Sequence, residues 1–117
     1  MESQKYIGTC HCGNVEFIFS STLESPYRCN CSFCARRGIV VQKVNSSKFE
    51  IIKGRDSLDK YGNRKFAKHY FCKNCGIHTF SKITRENESS VAINLACASN
   101  IKSDDLNVTI FDGANKL

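Results

Sequence analysis

Apolar residues in this chain recur at a period of two far more often than at helical spacing. Val15-Glu-Phe-Ile-Phe19 alternates directly after the Gly13-Asn14 turn, and Gly38-Ile-Val-Val-Gln-Lys-Val44 is apolar and β-branched. Further runs stand at 49–52, 69–72, 78–83, 91–97 and 108–111. Side chains of a strand point to opposite faces in turn, so each run predicts a strand with one face inward. Helix is scarce. One short turn is expected over residues 31–36 and a second over 57–61, where Asp56 would cap it. Gly, Asn, Ser and Asp separate the runs, no linker or repeat interrupts them, and Pro26 is the only proline. The pattern predicts one mainly β domain over residues 1–117, made of small antiparallel sheets with little helix.

Cysteine placement adds what holds such sheets together. Seven of the eight cysteines fall into three tight clusters: Cys10-His-Cys12, Cys29-Asn-Cys31-Ser-Phe-Cys34 and Cys72-Lys-Asn-Cys75-Gly76. A C-x-x-C step lets one tight turn present two soft thiolates to a single ion, whereas neighbouring cysteines are badly placed to bridge each other. The clusters therefore predict metal sites, with zinc favoured over iron for ribbon-type knuckles. The N-terminus, Met1-Glu-Ser-Gln-Lys-Tyr6, is polar, and no run approaches the ~18 apolar residues of a membrane span. A cytoplasmic, reducing setting is expected, where thiols stay free for metal.

Charge changes the picture little. The formal +6, from 17 Lys and Arg against 11 Asp and Glu, falls nearer +3 once one four-thiolate and one three-thiolate zinc site are counted. Apart from Arg36-Arg37 and Lys60, Arg64, Lys65 and Lys68, the basic residues are dispersed, which argues against nucleic acid as the partner.

The clusters are of two kinds. Cys72-x-x-Cys75-Gly76 needs a second pair. Cys10-x-Cys12-Gly13 also ends in a glycine turn and precedes a strand that could run beside the knuckle's hairpin. Together Cys10, Cys12, Cys72 and Cys75 make a closed site, and closed sites are structural. Cys29, Cys31 and Cys34 offer three sulfurs and no fourth ligand nearby. That leaves a position open, as catalysis requires. A zinc ion with three thiolates carries a net charge of −1, poor for activating water and better suited to holding a substrate thiolate, which points to carbon–sulfur chemistry.

Other residues have two readings each. Cys97 is the rival for the fourth position, although Val91, Ile93, Leu95 and Cys97 would share one strand face and so favour a packed core thiol. Asn94, on the opposite face with Ala92 and Ala96, serves either a substrate or a neighbouring backbone group. His69 and His78 flank the second knuckle and read first as half-buried strand histidines, with a metal-ligand or proton-transfer role as the second reading. His11 should point away from the metal. Arg36-Arg37, just after the open cluster, would attract a carboxylate or simply sit in solvent.

With these motifs read, the chain resembles the glutathione-dependent formaldehyde-activating enzyme family, which also includes centromere protein V-like domains. The likeness runs from Gly8 to Asn94 through Gly8-Thr-Cys-His-Cys-Gly-Asn-Val15, Cys29-Asn-Cys-Ser-Phe-Cys-Ala-Arg-Arg-Gly38 and His69-Tyr-Phe-Cys-Lys-Asn-Cys-Gly76. It implies an Mss4-like β-tent with two zinc ions per chain, a structural one on Cys10, Cys12, Cys72 and Cys75 and a catalytic one on Cys29, Cys31 and Cys34. It also implies a carbon–sulfur lyase reaction run towards synthesis, in which glutathione or a similar thiol adds to formaldehyde or another small aldehyde. The competing expectations are a zinc-stabilised binding module without catalysis and a thiol-based metal or redox sensor.

Overall fold

The computed structural model describes residues 3–102 and 106–116, the side chains at 63 and 64 excepted, so Arg64 of the expected basic group lies outside the described side chains. Its strands, in chain order, are β1 (Gln4–Thr9), β2 (Glu16–Ser21), β3 (Tyr27–Cys29), β4 (Val41–Asn45), β5 (Phe49–Lys53), β6 (Leu58–Arg64), β7 (Ala67–Cys72), β8 (His78–Arg85), β9 (Glu88–Asn94) and β10 (Thr109–Phe111). Of the described residues, half are strand and 17% helical, so the fold is mainly β. The α-helical pieces are α1 (Ser32–Arg37) and α2 (Gly113–Lys116). Among the described residues, no helix is long and apolar enough to cross a membrane.

Two sheets result. One is antiparallel with order β1-β2-β5, and the other has order β10-β3-β4-β9-β8-β7-β6, in which β10 runs parallel to β3. The alternation in β2 buries Phe17 and Phe19 completely, and β8 and β9 answer with Phe80, Val91 and Ile93. Phe80 is the hub, its ring 4.6 Å from that of Phe49, 5.1 Å from that of Tyr70 and 5.9 Å from that of Phe17. Each such side chain contributes about 1.5–3 kcal/mol through burial, which fixes the three-stranded sheet against one face of the larger one. The other face of the larger sheet is left for the site.

Three expectations are corrected. Residues 57–61 do not form a helix. A 3₁₀ turn over Arg55–Ser57 follows Gly54, whose φ of 91° starts a left-handed turn, and β6 then pairs with β7 from Leu58↔Cys72 to Tyr61↔His69. Ladder bonds with a neighbouring strand outweigh local helix preference, and Asp56 caps nothing there. The run at 91–97 is not one strand either. It ends at Asn94, whose Oδ1 accepts from the Ala96 amide at 3.1 Å and opens a 3₁₀ turn over Leu95–Cys97. Third, the strand after Cys12 does not run beside the second knuckle's hairpin, for β2 belongs to the smaller sheet and β7–β8 to the larger.

Candidate metal centres and the adjoining cavity

The two knuckles repeat one local design. After Cys12, Gly13 adopts a φ of 83°, and after Cys75, Gly76 adopts 78°, so in each the chain reverses through a left-handed glycine. The Cys10 amide then donates to the Val15 carbonyl at 3.1 Å and the Cys72 amide to the Ile77 carbonyl at 3.0 Å. Because the knuckles close hairpins in different sheets, their four sulfurs meet at the seam between the sheets.

The sulfurs of Cys10, Cys12, Cys72 and Cys75 all lie within 4.8 Å of one another, with 3.6 Å from Cys10 to Cys12 and from Cys12 to Cys72. A tetrahedral site with Zn–S near 2.3 Å needs sulfurs about 3.8 Å apart, so this donor set fits zinc. Backbone amides support the charge. Val15 N–H donates to Cys10 Sγ at 3.3 Å. Hydrogen bonds from the Cys12 and Ile77 amides pull the Cys75 thiol down to about 6, while burial pushes Cys72 up to about 11.

Cys29 ends β3, Cys31 is the N-cap of α1 and Cys34 lies within that helix; their sulfurs again fall within 4.8 Å of one another. The Cys34 amide donates to Cys31 Sγ at 3.4 Å, so the thiol itself caps the helix. Burial raises the Cys31 thiol, but hydrogen bonds from the Cys34 and Phe33 backbone and neighbouring thiols bring it below its ordinary value; burial drives Cys34 up to about 12 against the pull of Arg37. Among the described residues, no fourth Cys, His, Asp or Glu joins this group.

Cys97 is not its missing ligand. It ends the 3₁₀ turn, half-buried against the core, with Sγ 3.9 Å from the His78 carbonyl. Burial raises its pKa to about 12, with further contributions from Cys10 and Cys75, which puts it beside the four-cysteine site instead. Its reading as a packed thiol holds, though from the end of a turn and not from a strand face. Asn94 is buried, and its amide is occupied by backbone, donating to the His78 carbonyl at 2.8 Å and accepting from Ala96. Arg36 is exposed and donates back to the Ser32 carbonyl of its own helix. His11 is exposed and belongs to neither sulfur group.

Arg37 and the two histidines, separate candidates in the sequence, form a connected set that only the structure reveals. Arg37 Nη2 donates to Cys34 Sγ at 2.8 Å, and its guanidinium lies 4.4 Å over the Phe33 ring. Nη1 stands 2.7 Å from His78 Nδ1, His78 Nε2 stands 2.9 Å from Ser81 Oγ, and Ser81 Oγ stands 2.7 Å from His69 Nδ1. A guanidinium only donates, and Nη1 also stands 3.0 Å from His78 Nε2. With the shorter Nδ1 contact as the hydrogen bond, His78 donates from Nε2 to Ser81, Ser81 donates to His69 Nδ1, and His69 carries its own proton on Nε2. Burial and then the Arg37 charge hold His78 down to about 2 and His69 down to about 4, so both rings are neutral.

A β-bulge brings this set together. Tyr70 pairs with Phe80 but Phe71 pairs with His78, so Thr79 is the extra residue and His78 turns to the side of Ser81. Regular alternation would put the two on opposite faces. Above that face lies a cavity of about 480 Å³ whose lining includes Cys29, Cys31, Cys34, Arg37, His69 and Ser81. Asn94 and Arg36 do not line it.

Two all-cysteine clusters stand on a mainly β scaffold, one of four sulfurs across a sheet seam and one of three sulfurs lining a cavity, and each could hold a metal ion. The family model for the glutathione-dependent formaldehyde-activating enzyme matches residues 5–111, and the chain belongs to that family. A Penicillium rubens protein provisionally named as such an enzyme is 26% identical over 92 residues, covering 66% of this chain; the chain spans 44% of that relative's length. The crystal structure of a Rhodobacter sphaeroides protein is similar at a TM-score of 0.81 and 33% identity, over 92% of this chain and all of that one.

Proposed function

We propose that this protein is a zinc-dependent carbon–sulfur lyase of the formaldehyde-activating type, working in the cytoplasm and adding a thiol such as glutathione to a small aldehyde. The observation that carries this reading is the cluster of Cys29, Cys31 and Cys34, three sulfurs without a fourth ligand among the described residues, opening on the cavity. Cys10, Cys12, Cys72 and Cys75 would hold the second, structural zinc. Cys29, Cys31 and Cys34 would hold the catalytic zinc, which would supply an open coordination position and lower the pKa of a substrate thiol there.

The chain's own residues do the rest. Arg37, donating to Cys34 Sγ, offsets the negative charge of a three-thiolate set and fixes the orientation of one sulfur. Phe33 and His69 stack with ring centroids 4.2 Å apart, which holds the imidazole against the cavity. The neutral ring, through its Nε2 proton, donates a hydrogen bond to the carbonyl oxygen where negative charge develops. The sulfur–carbon bond forms, the carbonyl π electrons move to oxygen, and the proton released by the thiol ends on the product hydroxyl through water at the cavity mouth. Thiol and aldehyde are thus conserved in the adduct without oxidation or reduction.

Exchange NMR of a glutathione–formaldehyde mixture tests the proposal. Interconversion should rise in proportion to zinc-loaded protein, fall to the unaided rate with Cys31→Ala, and drop about 10²-fold or more with His69→Gln. An unchanged rate with Cys31→Ala would overturn it.

A further inference from the structure

We infer that the cavity beside the three-cysteine cluster is built for a thiol with an extended apolar body and a terminal anion, not for a peptide-like thiol alone. The inference rests on reading that cluster as the thiol-binding end. Its carrying observation is the cavity's composition along its length. Tyr27, Phe33, Val41, Phe66, Ile83 and Phe111 supply mostly apolar walls, among which the hydroxyls of Tyr27, Ser25, Ser32 and Thr109 are the scattered polar groups, while Lys43 and Arg85 supply cations, and no acidic side chain lines the cavity among the described residues. Formaldehyde, with two heavy atoms, explains none of that volume. A tripeptide would set more amide groups against these walls than four scattered hydroxyls can pair, and an unpaired amide is costly.

The order of these groups follows from the sheet register. Ser81 pairs with His69 and with Ala92, and Ala92 with Lys43, so one row runs across β7, β8, β9 and β4 with His69 at its β7 end and Lys43 at its β4 end. From Ser81, β8 continues through Ile83 to Arg85 on the same face, four residues or about 13 Å further on. The sulfurs stand at the Ser81 end with Arg37, and the guanidinium of Arg85 stands at the other, 4.5 Å over the Phe66 ring. Lys43 and Arg85 are exposed and also border an adjoining hollow of about 330 Å³ that contains Glu86 and Glu88, so they mark the cavity's mouth. An extended chain reaches about 1.2 Å per bond, so a thiol with roughly eight carbons and a carboxylate spans from the cluster towards these cations.

Calorimetric titration of the zinc-loaded full chain tests this without turnover. The probes are 8-mercaptooctanoate, 3-mercaptopropionate, 8-mercapto-1-octanol and glutathione. Each buried methylene is worth about fourfold in affinity, so 8-mercaptooctanoate should bind about a hundredfold or more tighter than 3-mercaptopropionate. It should also bind about tenfold tighter than the neutral alcohol, a preference that disappears in the Lys43→Met/Arg85→Met double variant, whose exposed positions leave the core untouched. Equal binding of long and short acids, or tighter binding of glutathione than of 8-mercaptooctanoate, would overturn the inference. That result alongside accelerated glutathione–formaldehyde exchange would leave the proposed reaction standing. Tight, anion-dependent binding of the long thiol with no acceleration of any thiol–aldehyde exchange would remove the reaction and keep the ligand class.

Discussion

Arg37 couples metal chemistry to the fold through three engagements at once: the Cys34 sulfur, the His78 ring and the Phe33 face. Only a planar fork with several donors satisfies all three; a lysine offers one compact charge. Arg37→Lys is therefore expected to weaken zinc at the three-cysteine cluster about 10–100-fold, the usual range for groups supporting ligands, while the four-cysteine site keeps its affinity. Competition with a chelating dye, resolving two classes of released zinc, measures this. Arg36→Ala, removing an exposed group bonded to its own helix, should change neither class by more than about twofold. Sequence placed both arginines after the cluster. Which one turns inward depended on the 3.6-residue pitch of α1 and on the position of β8, and neither is written in the pair itself.

At the scale of elements, α1 is the exposed weak point. It has six residues and buries none of them, far short of the ~12–15 residues at which an isolated helix becomes even marginal in water. Its hold on the molecule is the Cys31 cap, the Phe33–His69 stack and the Arg37 contacts, to which a bound ion would add a covalent-strength clasp at both ends of the first turn. Partial chelation that empties the three-cysteine cluster should make the amides of Ala35 and Gly38 exchange almost as fast as in an unfolded chain. The amides of β8 and β9 should stay protected, as hydrogen exchange read by NMR would show. Protection of α1 after metal loss would contradict this account. A short turn over residues 31–36 was expected from sequence, and the strands at 78–83 and 49–52 were expected because apolar alternation and β-branched residues report a half-buried strand. The three-residue β3, with none of its residues buried, carries too little alternation to be read.

Across the whole molecule, the four-cysteine cluster links the two sheets, since Cys10 and Cys12 lie between β1 and β2 while Cys72 ends β7 and Cys75 lies between β7 and β8. Structural zinc contributes about 10–16 kcal/mol in small zinc folds, as much as the ~5–15 kcal/mol net stability of an ordinary domain. Cys72→Ser should therefore abolish cooperative thermal unfolding and near-ultraviolet circular dichroism. Cys31→Ser should keep both and lose only the second equivalent of zinc, counted by metal analysis. A folded Cys72→Ser protein would show that the aromatic core around Phe80 suffices alone.

What the sequence determined by itself was local: period-two alternation gave the strand content, and Cys spacing of one or two residues assembled the knuckles and the three-sulfur cluster, because such geometry is set within a single turn. Tertiary structure decided everything that depends on which strands become neighbours. Residues 58–61 became strand because β7 was there to pair with, and Cys97 came to lie by the four-cysteine site because the run at 91–97 breaks at Asn94. His78 joined Ser81 and Arg37 only because one extra residue, Thr79, shifted the face of β8. Registers and bulges are settled by burial against a partner strand, and the partner lies far away in the chain.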